Sequence, residues 1–298
     1  MTVTVLAGAS GFLGSALAHA LTEEGHTIRQ LVRRPARSAD EVQWDPDAGV
    51  LPQAALEDAS AVVNLGGAGM GDRRWNARYR RLIITSRVHG TALLANALAE
   101  RARGGERVRF LQASAVGYYG DGGEQELTED SPNGEGFVPS VCQAWEAAAG
   151  PAVRAGVPVA FLRTGLVLDP AAGALARMMP LLRLGLAGPL GSGRQWWAWI
   201  TRADHVRAMV HLLRSEVTGP VNVSAPTPER NKDVTTTLAR HLGRPAFVPA
   251  PAFGIRLVLG EFAREITASQ RMVPRVLVAD GFTFTAPTID LAAEQLLG

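Results

Sequence analysis

Three glycines, at positions 8, 11 and 14, are the residues whose spacing speaks most directly of chemistry. They stand in Thr2-Val-Thr-Val-Leu-Ala-Gly8-Ala-Ser10-Gly11-Phe12-Leu13-Gly14, a short β-branched run that passes at once into a helical pattern. Strand, tight turn and helix in that order form a phosphate cradle. Gly8 permits the turn, Gly11 lets a pyrophosphate approach the backbone, and Gly14 lets the helix pack close to the strand. The anion then lies on the free N–H groups of the helix N-terminus, where the dipole favours negative charge. Ser10, Phe12 and Leu13 fall against the same ligand.

A second strand at Thr27–Val32 ends in Arg33-Arg34-Pro35. In dinucleotide folds an acid at this point binds the 2′-OH of NAD, whereas an arginine accepts the 2′-phosphate of NADP. Arginines and no acid predict NADP(H), because a guanidinium fork suits phosphate by shape and by permanent charge. Leu65-Gly66-Gly67-Ala68 closes a strand at Ala61–Leu65, where small residues let a cofactor lie against the backbone. A strand at Val108–Ala113 then runs into Ser114-Ala-Val-Gly-Tyr118-Tyr119-Gly120, and one at Val159–Leu162 into Arg163-Thr-Gly. Ala113 and Arg163 are expected at the cofactor, and Ser114, Tyr118 and Tyr119 are the candidate catalytic groups. A phenol with a pKa near 10 is a poor base at neutral pH, but it can donate a proton or hydrogen bond to a carbonyl. Any mechanism that needs a lysine has only Lys232 to draw on.

The elements that must position these residues alternate. Beyond the strands already named, Val42–Trp44 reads as a short third strand, Tyr79–Arg103 as a long helix and Ser140–Arg154 as another. The strand at Val159–Leu162 is expected to complete the sheet. This predicts an α/β fold: a Rossmann-type doubly wound parallel sheet over residues 1–165, with later returns to it, and a smaller C-terminal substrate lobe over 166–298. In that lobe, Gly191–Ile200 carries Arg194, Trp196, Trp197 and Trp199. The tryptophans either pack the lobes together or form an aromatic wall for a substrate whose anionic group Arg194 or Arg163 would hold. Met178 shares that choice between core and substrate contact. From Ala246 onward the apolar patches are too few to close a core alone, so the tail is expected to pack on Arg163–Ile200.

Composition narrows the rest. The net charge of +2 and a pI of 9.1 reflect many arginines rather than a nucleic-acid field. One cysteine, Cys142, excludes an intrachain disulfide, and no metal-ligand spacing appears. No uninterrupted apolar run reaches the roughly 18 residues of a membrane span. A cytoplasmic protein with a small-molecule substrate, no nucleic-acid or membrane partner and room for a homodimer is the expectation.

The glycines, the Leu65–Gly67 loop, Ser114…Tyr119-Gly120 and Arg163-Thr-Gly together resemble the extended short-chain dehydrogenase/reductase superfamily. More narrowly the chain resembles its atypical "epimerase family protein" group. The carrying segments are Arg74-Trp75, Ser86-Arg87-Val-His-Gly90-Thr91, Cys142-Gln-Ala-Trp145-Glu146, Trp197-Ala-Trp199-Ile200, and Leu259-Gly-Glu-Phe through Gly281-Phe-Thr-Phe. The likeness spans nearly the whole chain, including a C-terminal domain of unknown function over 246–298. It implies an NADP-type cofactor without the usual chemistry. Extended enzymes use a serine or threonine and a Tyr-x-x-x-Lys pair whose lysine lowers the tyrosine pKa. Those places fall on Ala115, Val138 and Cys142, and a shift of one residue would bring Ser114 into the serine's place. No shift restores the pair, since Pro228 stands four residues before Lys232. Two classes remain: an NADP-dependent oxidoreductase or epimerase-like enzyme with a modified proton donor, or an NADP(H)-binding sensor or scaffold.

Overall fold

Successive residues along a strand point to opposite faces, and the buried strands here are apolar on both. Val5, Val62 and Phe110 lie in one core, while their neighbours Leu6, Val63 and Leu111 lie in the other. A computed structural model describing residues 2–298 shows the sheet that this patterning requires. Its strands are β1 (Val3–Ala7), β2 (Thr27–Val32), β3 (Glu41–Gln43), β4 (Ala59–Asn64), β5 (Arg109–Ala115), β6 (Val159–Thr164) and β7 (Gly219–Val223). All seven run parallel in the order β7-β6-β5-β4-β1-β2-β3. The order reverses between β1 and β4, and the crevice at their carboxyl ends is where such sheets bind ligands.

Helices cover both faces. On one lie α1 (Phe12–Glu23) and α5 (Arg202–Arg214); on the other lie α2 (Ala77–Arg103), α3 (Phe137–Ala147) and α4 (Gly150–Arg154). Two expectations need correction. Ser140–Arg154 is two helices, because Pro151 has no N–H to donate and starts a new turn. The sheet does not end at Val159–Thr164, since β7 adds a seventh strand through Val223↔Thr164 pairing. In addition, α2 is long and apolar enough by composition to cross a membrane. Its apolar face is spent inside the fold: Leu94 and Leu98 are buried against the sheet, and Ile83 against Val141 of α3.

The lobe has a core of its own around Leu175, Met179, Trp197, Trp199, Val234 and Leu238. Beyond Ala246 the chain touches 163–200 through the Leu190–Ala250 bridge and the Trp197 indole N–H on the Ile266 carbonyl (3.3 Å). It also reaches further. Arg271–Met272 pairs with Glu126–Leu127, and Leu277 and Phe282 enter the core under α1 and α5.

A candidate active site at the sheet switch point

The cradle is made of backbone held too close for side chains. Gly8 has φ +84, and a Cβ there would stand 3.0 Å from the Leu65 carbonyl carbon. A Cβ on Gly14 would lie 2.1 Å from the Gly8 carbonyl oxygen, so the helix start and the strand end meet only because that position is glycine. Gly11 is exposed and donates its own N–H to the Gly8 carbonyl (3.0 Å). No side chain caps α1, which leaves the N–H groups of its first turn for an anion. Ser10 is exposed at the same turn, Leu13 packs inward, and Phe12 lies 5.5 Å from the Arg202 guanidinium.

Across the switch point, Leu65 donates its N–H to the Ala7 carbonyl (2.9 Å), which ties the end of β4 to β1. Buried Asn64 orients the following loop. Its Oδ1 accepts from the Gly66 N–H (3.2 Å), and its Nδ2 donates to Thr91 and Gln112. Ala68 donates to the Ser86 hydroxyl (3.0 Å). These spacings fit a dinucleotide along Gly8–Gly14 and Gly66–Ala68.

At the adenosine end the acid missing from the end of β2 arrives from β3. Arg34 forms a two-pronged pair with Glu41 (2.6 and 2.7 Å), and Glu41 also accepts the Arg37 N–H. Those hydrogen bonds bring the Glu41 carboxyl down to about 2. Arg33 beside it is exposed. Only strand pairing could reveal this, since Glu41 belongs to a later element.

The candidate catalytic groups form a connected polar cluster on β5, β6 and α3. Ser114, paired in register with Arg163, donates its hydroxyl to Glu146 (2.7 Å). Arg163 donates to both Glu146 oxygens (2.9 and 3.0 Å), to the Tyr119 hydroxyl (3.0 Å) and to the Glu129 carbonyl (3.1 Å). Burial opposes its charge, but the hydrogen bonds and charge of Glu146 hold the guanidinium above the ordinary arginine range. The Tyr119 hydroxyl donates to Asn222 (2.6 Å), and burial pushes its pKa up to about 12 despite Arg163. Arg163 is therefore engaged from within the fold, not turned toward the cradle. Tyr118 is half-buried, with its ring 3.5 Å from the Arg163 guanidinium carbon. Ala113 is buried beside them on β5.

Where the resemblance would put tyrosine and lysine, the chain packs apolar atoms. A Cβ on Gly117 would meet Val138 at 2.4 Å and the Cys142 sulfur at 3.9 Å. Cys142 is buried, and burial raises its thiol to about 12, which leaves it a small apolar residue.

The substrate candidates are scattered. Trp197 sits in the lobe core, and Met178 packs against it. Arg194 is exposed. The Trp196 ring centroid lies 4.2 Å from the Arg230 guanidinium carbon and 4.9 Å from that of Arg271, with the indole N–H on Glu124 (3.0 Å). Glu146, Glu129 and Asn222 complete the polar cluster. Their sequence neighbourhoods carry no local signal beyond the Trp145-Glu146 segment.

Residues 4–224 match the NAD dependent epimerase/dehydratase family, and residues 250–296 match a domain of unknown function, DUF1731. An epimerase family protein of Mycobacterium leprae is 40% identical over 289 residues, 96% of this chain and 93% of that protein. The crystal structure of human epimerase family protein SDR39U1 with NADPH superposes with a TM-score of 0.89 at 30% identity, covering 99% of both chains. A nucleoside-diphosphate sugar epimerase from Corynebacterium glutamicum gives a TM-score of 0.78 at 33% identity, covering all of this chain and 58% of that one.

Proposed function

Because the chain belongs to the NAD dependent epimerase/dehydratase family, we propose that it binds NADP(H) and acts as an oxidoreductase or epimerase-like enzyme without a Tyr-x-x-x-Lys pair. The observation that carries this reading is the uncapped start of α1 facing a cradle that tolerates only glycine at positions 8 and 14. The NADPH in the human relative's structure supports the choice of cofactor. Gly8–Gly14 takes the pyrophosphate, Leu65–Ala68 and Ala113 line the nicotinamide side, and Arg33 with Arg34 faces the 2′-phosphate. Glu41 keeps the Arg34 fork fixed in direction, and Arg33 brings the uncommitted charge. The cofactor, when bound, supplies or takes the hydride.

Hydride transfer to a carbonyl leaves an alkoxide that needs a donor in the transition state. Ser114 and Tyr119 already donate to Glu146 and Asn222. Tyr118 is then the donor of the three, with the Arg163 charge against its ring to stabilise a developing phenolate. Arg163 itself positions the cluster rather than the cofactor. Replacing Tyr118 by Phe is expected to lower turnover by about 10²–10⁴-fold with NADPH affinity unchanged. The assay is NADPH oxidation against a panel of carbonyl compounds, and unchanged turnover in that variant rejects the assignment.

One observation favours a second reading, an NADP(H)-binding sensor or scaffold: Val138 and Cys142 fill the pair's place against Gly117. Absence of NADPH oxidation across the whole panel, together with tight NADPH binding, selects it.

A further inference from the structure

The amino-terminal end of the sheet, opposite the cradle, holds a cavity of about 170 Å³ walled by charge. Ser60 of β4, Arg109 at the start of β5, Arg107 two residues before it, and Arg214, Ser215 and Glu216 at the end of α5 line it. Three guanidiniums thus share the cavity with one carboxylate. The central one is Arg109, with 7% of its surface exposed. It donates Nε to the Leu212 carbonyl (3.0 Å) and Nη2 to the Val217 carbonyl, which closes the C-terminal end of α5. Its third nitrogen, Nη1, is buried without a partner, and among the described residues no carboxylate forms an ion pair with Arg109. Burial holds the guanidinium below the ordinary arginine range, against the opposing charges of Glu216 and Asp280. A buried cation bonded only to carbonyls is costly unless a counter-charge arrives.

The two other arginines are held loosely. Arg107 pairs with Glu216, and Arg214 with Glu24 (2.6 Å), with both guanidiniums exposed. Exposed pairs of this kind contribute little, so either arginine can turn to a stronger acceptor. Ser60 spends its hydroxyl on the Val3 carbonyl (2.9 Å), and Ser215 accepts the Val217 N–H (3.0 Å). Positive charge is what remains to select an occupant. We propose that this cavity binds a phosphate group, held by Arg107 and Arg214 from the rim over the buried charge of Arg109. Phosphate fits because guanidinium forks match its oxygens and keep their charge at any working pH. Glu216 competes with the anion for Arg107. The site is separate from the cofactor cradle and the polar cluster: Arg109 and Ser114 stand at opposite ends of β5, about 17 Å apart along the strand.

The test is calorimetry of the full chain with inorganic phosphate, and with glycerol 3-phosphate as a small ester, each with and without saturating NADPH. Saturable binding that NADPH leaves unchanged is expected, and the tighter probe distinguishes a free anion from an ester. Arg107→Ala with Arg214→Ala is expected to weaken binding at least tenfold, since a charge-assisted contact is worth about that much. Arg109→Met is expected to abolish it; should that variant fail to fold, the Arg107 and Arg214 double variant decides. Glu216→Gln removes the competing carboxylate and is expected to tighten binding about threefold, a gain that a merely structural role for the arginines does not produce. Arg183→Ala with Arg244→Ala, at two exposed arginines elsewhere, should change nothing. No saturable binding by the parent, displacement of both probes by NADPH, no gain in Glu216→Gln, or equal weakening in the Arg183 and Arg244 variant overturns the site.

Discussion

At the carboxyl end of β1 the chain offers a ligand only backbone, whereas at the carboxyl ends of β5 and β6 it offers side chains already bonded to one another. The first region is open: an uncapped helix start, an exposed Gly11, and glycines where a Cβ would stand 2.1 or 3.0 Å from neighbouring backbone. The second is closed: Ser114, Glu146, Arg163, Tyr119 and Asn222 form a continuous chain of hydrogen bonds in which each group has a partner. An open site keeps its hydrogen-bonding capacity for a ligand. A closed one has spent it on the fold, because unpaired polar groups are expensive to bury. The difference explains why binding residues are easy to propose here and a catalytic group is not.

The largest effects of substitution are expected in the closed region. Glu146→Ala leaves Arg163 buried without its carboxylate, which is expected to cost about 3–5 kcal/mol of stability by urea denaturation. A loss under about 1 kcal/mol would mean that the cluster is solvated. The same region carries a pH signature. His205 is fully buried, with Nε2 on the Thr164 hydroxyl (3.0 Å) and Nδ1 unpartnered, and burial lowers its pKa to about 4. The unfolded chain therefore binds that proton more readily. The stabilising effect is full above about pH 6.5 and is lost as pH falls toward 4, by roughly 3 kcal/mol in all. A His205→Gln variant should flatten this slope, and an unchanged slope would assign it to other groups.

In the open region the effects are smaller and fall on the ligand. Gly14→Ala forces the start of α1 away from Gly8 and is expected to cost about 1–3 kcal/mol of stability. It should also weaken NADPH binding more than the stability change explains, and full NADPH affinity in a folded variant would show that the cofactor does not lie on the cradle. Arg33→Ala with Arg34→Ala should reduce NADPH affinity about tenfold, or about 1.4 kcal/mol, and leave NADH nearly unchanged. Equal affinities of the parent for NADPH and NADH, measured by calorimetry, would contradict the role of both arginines.

The sequence by itself determined the first six strands of the sheet, the glycine turn and the lack of a Tyr-x-x-x-Lys pair, because each follows from short-range pattern. Apolar runs of five or six residues make buried parallel strands, and Gly8, Gly11 and Gly14 fall between such a run and a helical pattern, where a tight turn must follow. The count of lysines needs no structure at all. Tertiary structure alone decided where charges find their partners. Glu41 meets Arg34 only when β3 lies beside β2, and Glu146 meets Arg163 only when α3 covers β5 and β6. Trp197 and Trp199 became core, and Trp196 a partner of two arginines, through contacts with residues about 30 to 75 positions away. Periodicity is a property of neighbours along the chain, while ion pairing and burial are properties of neighbours in space, and no local spacing in this chain encodes the second.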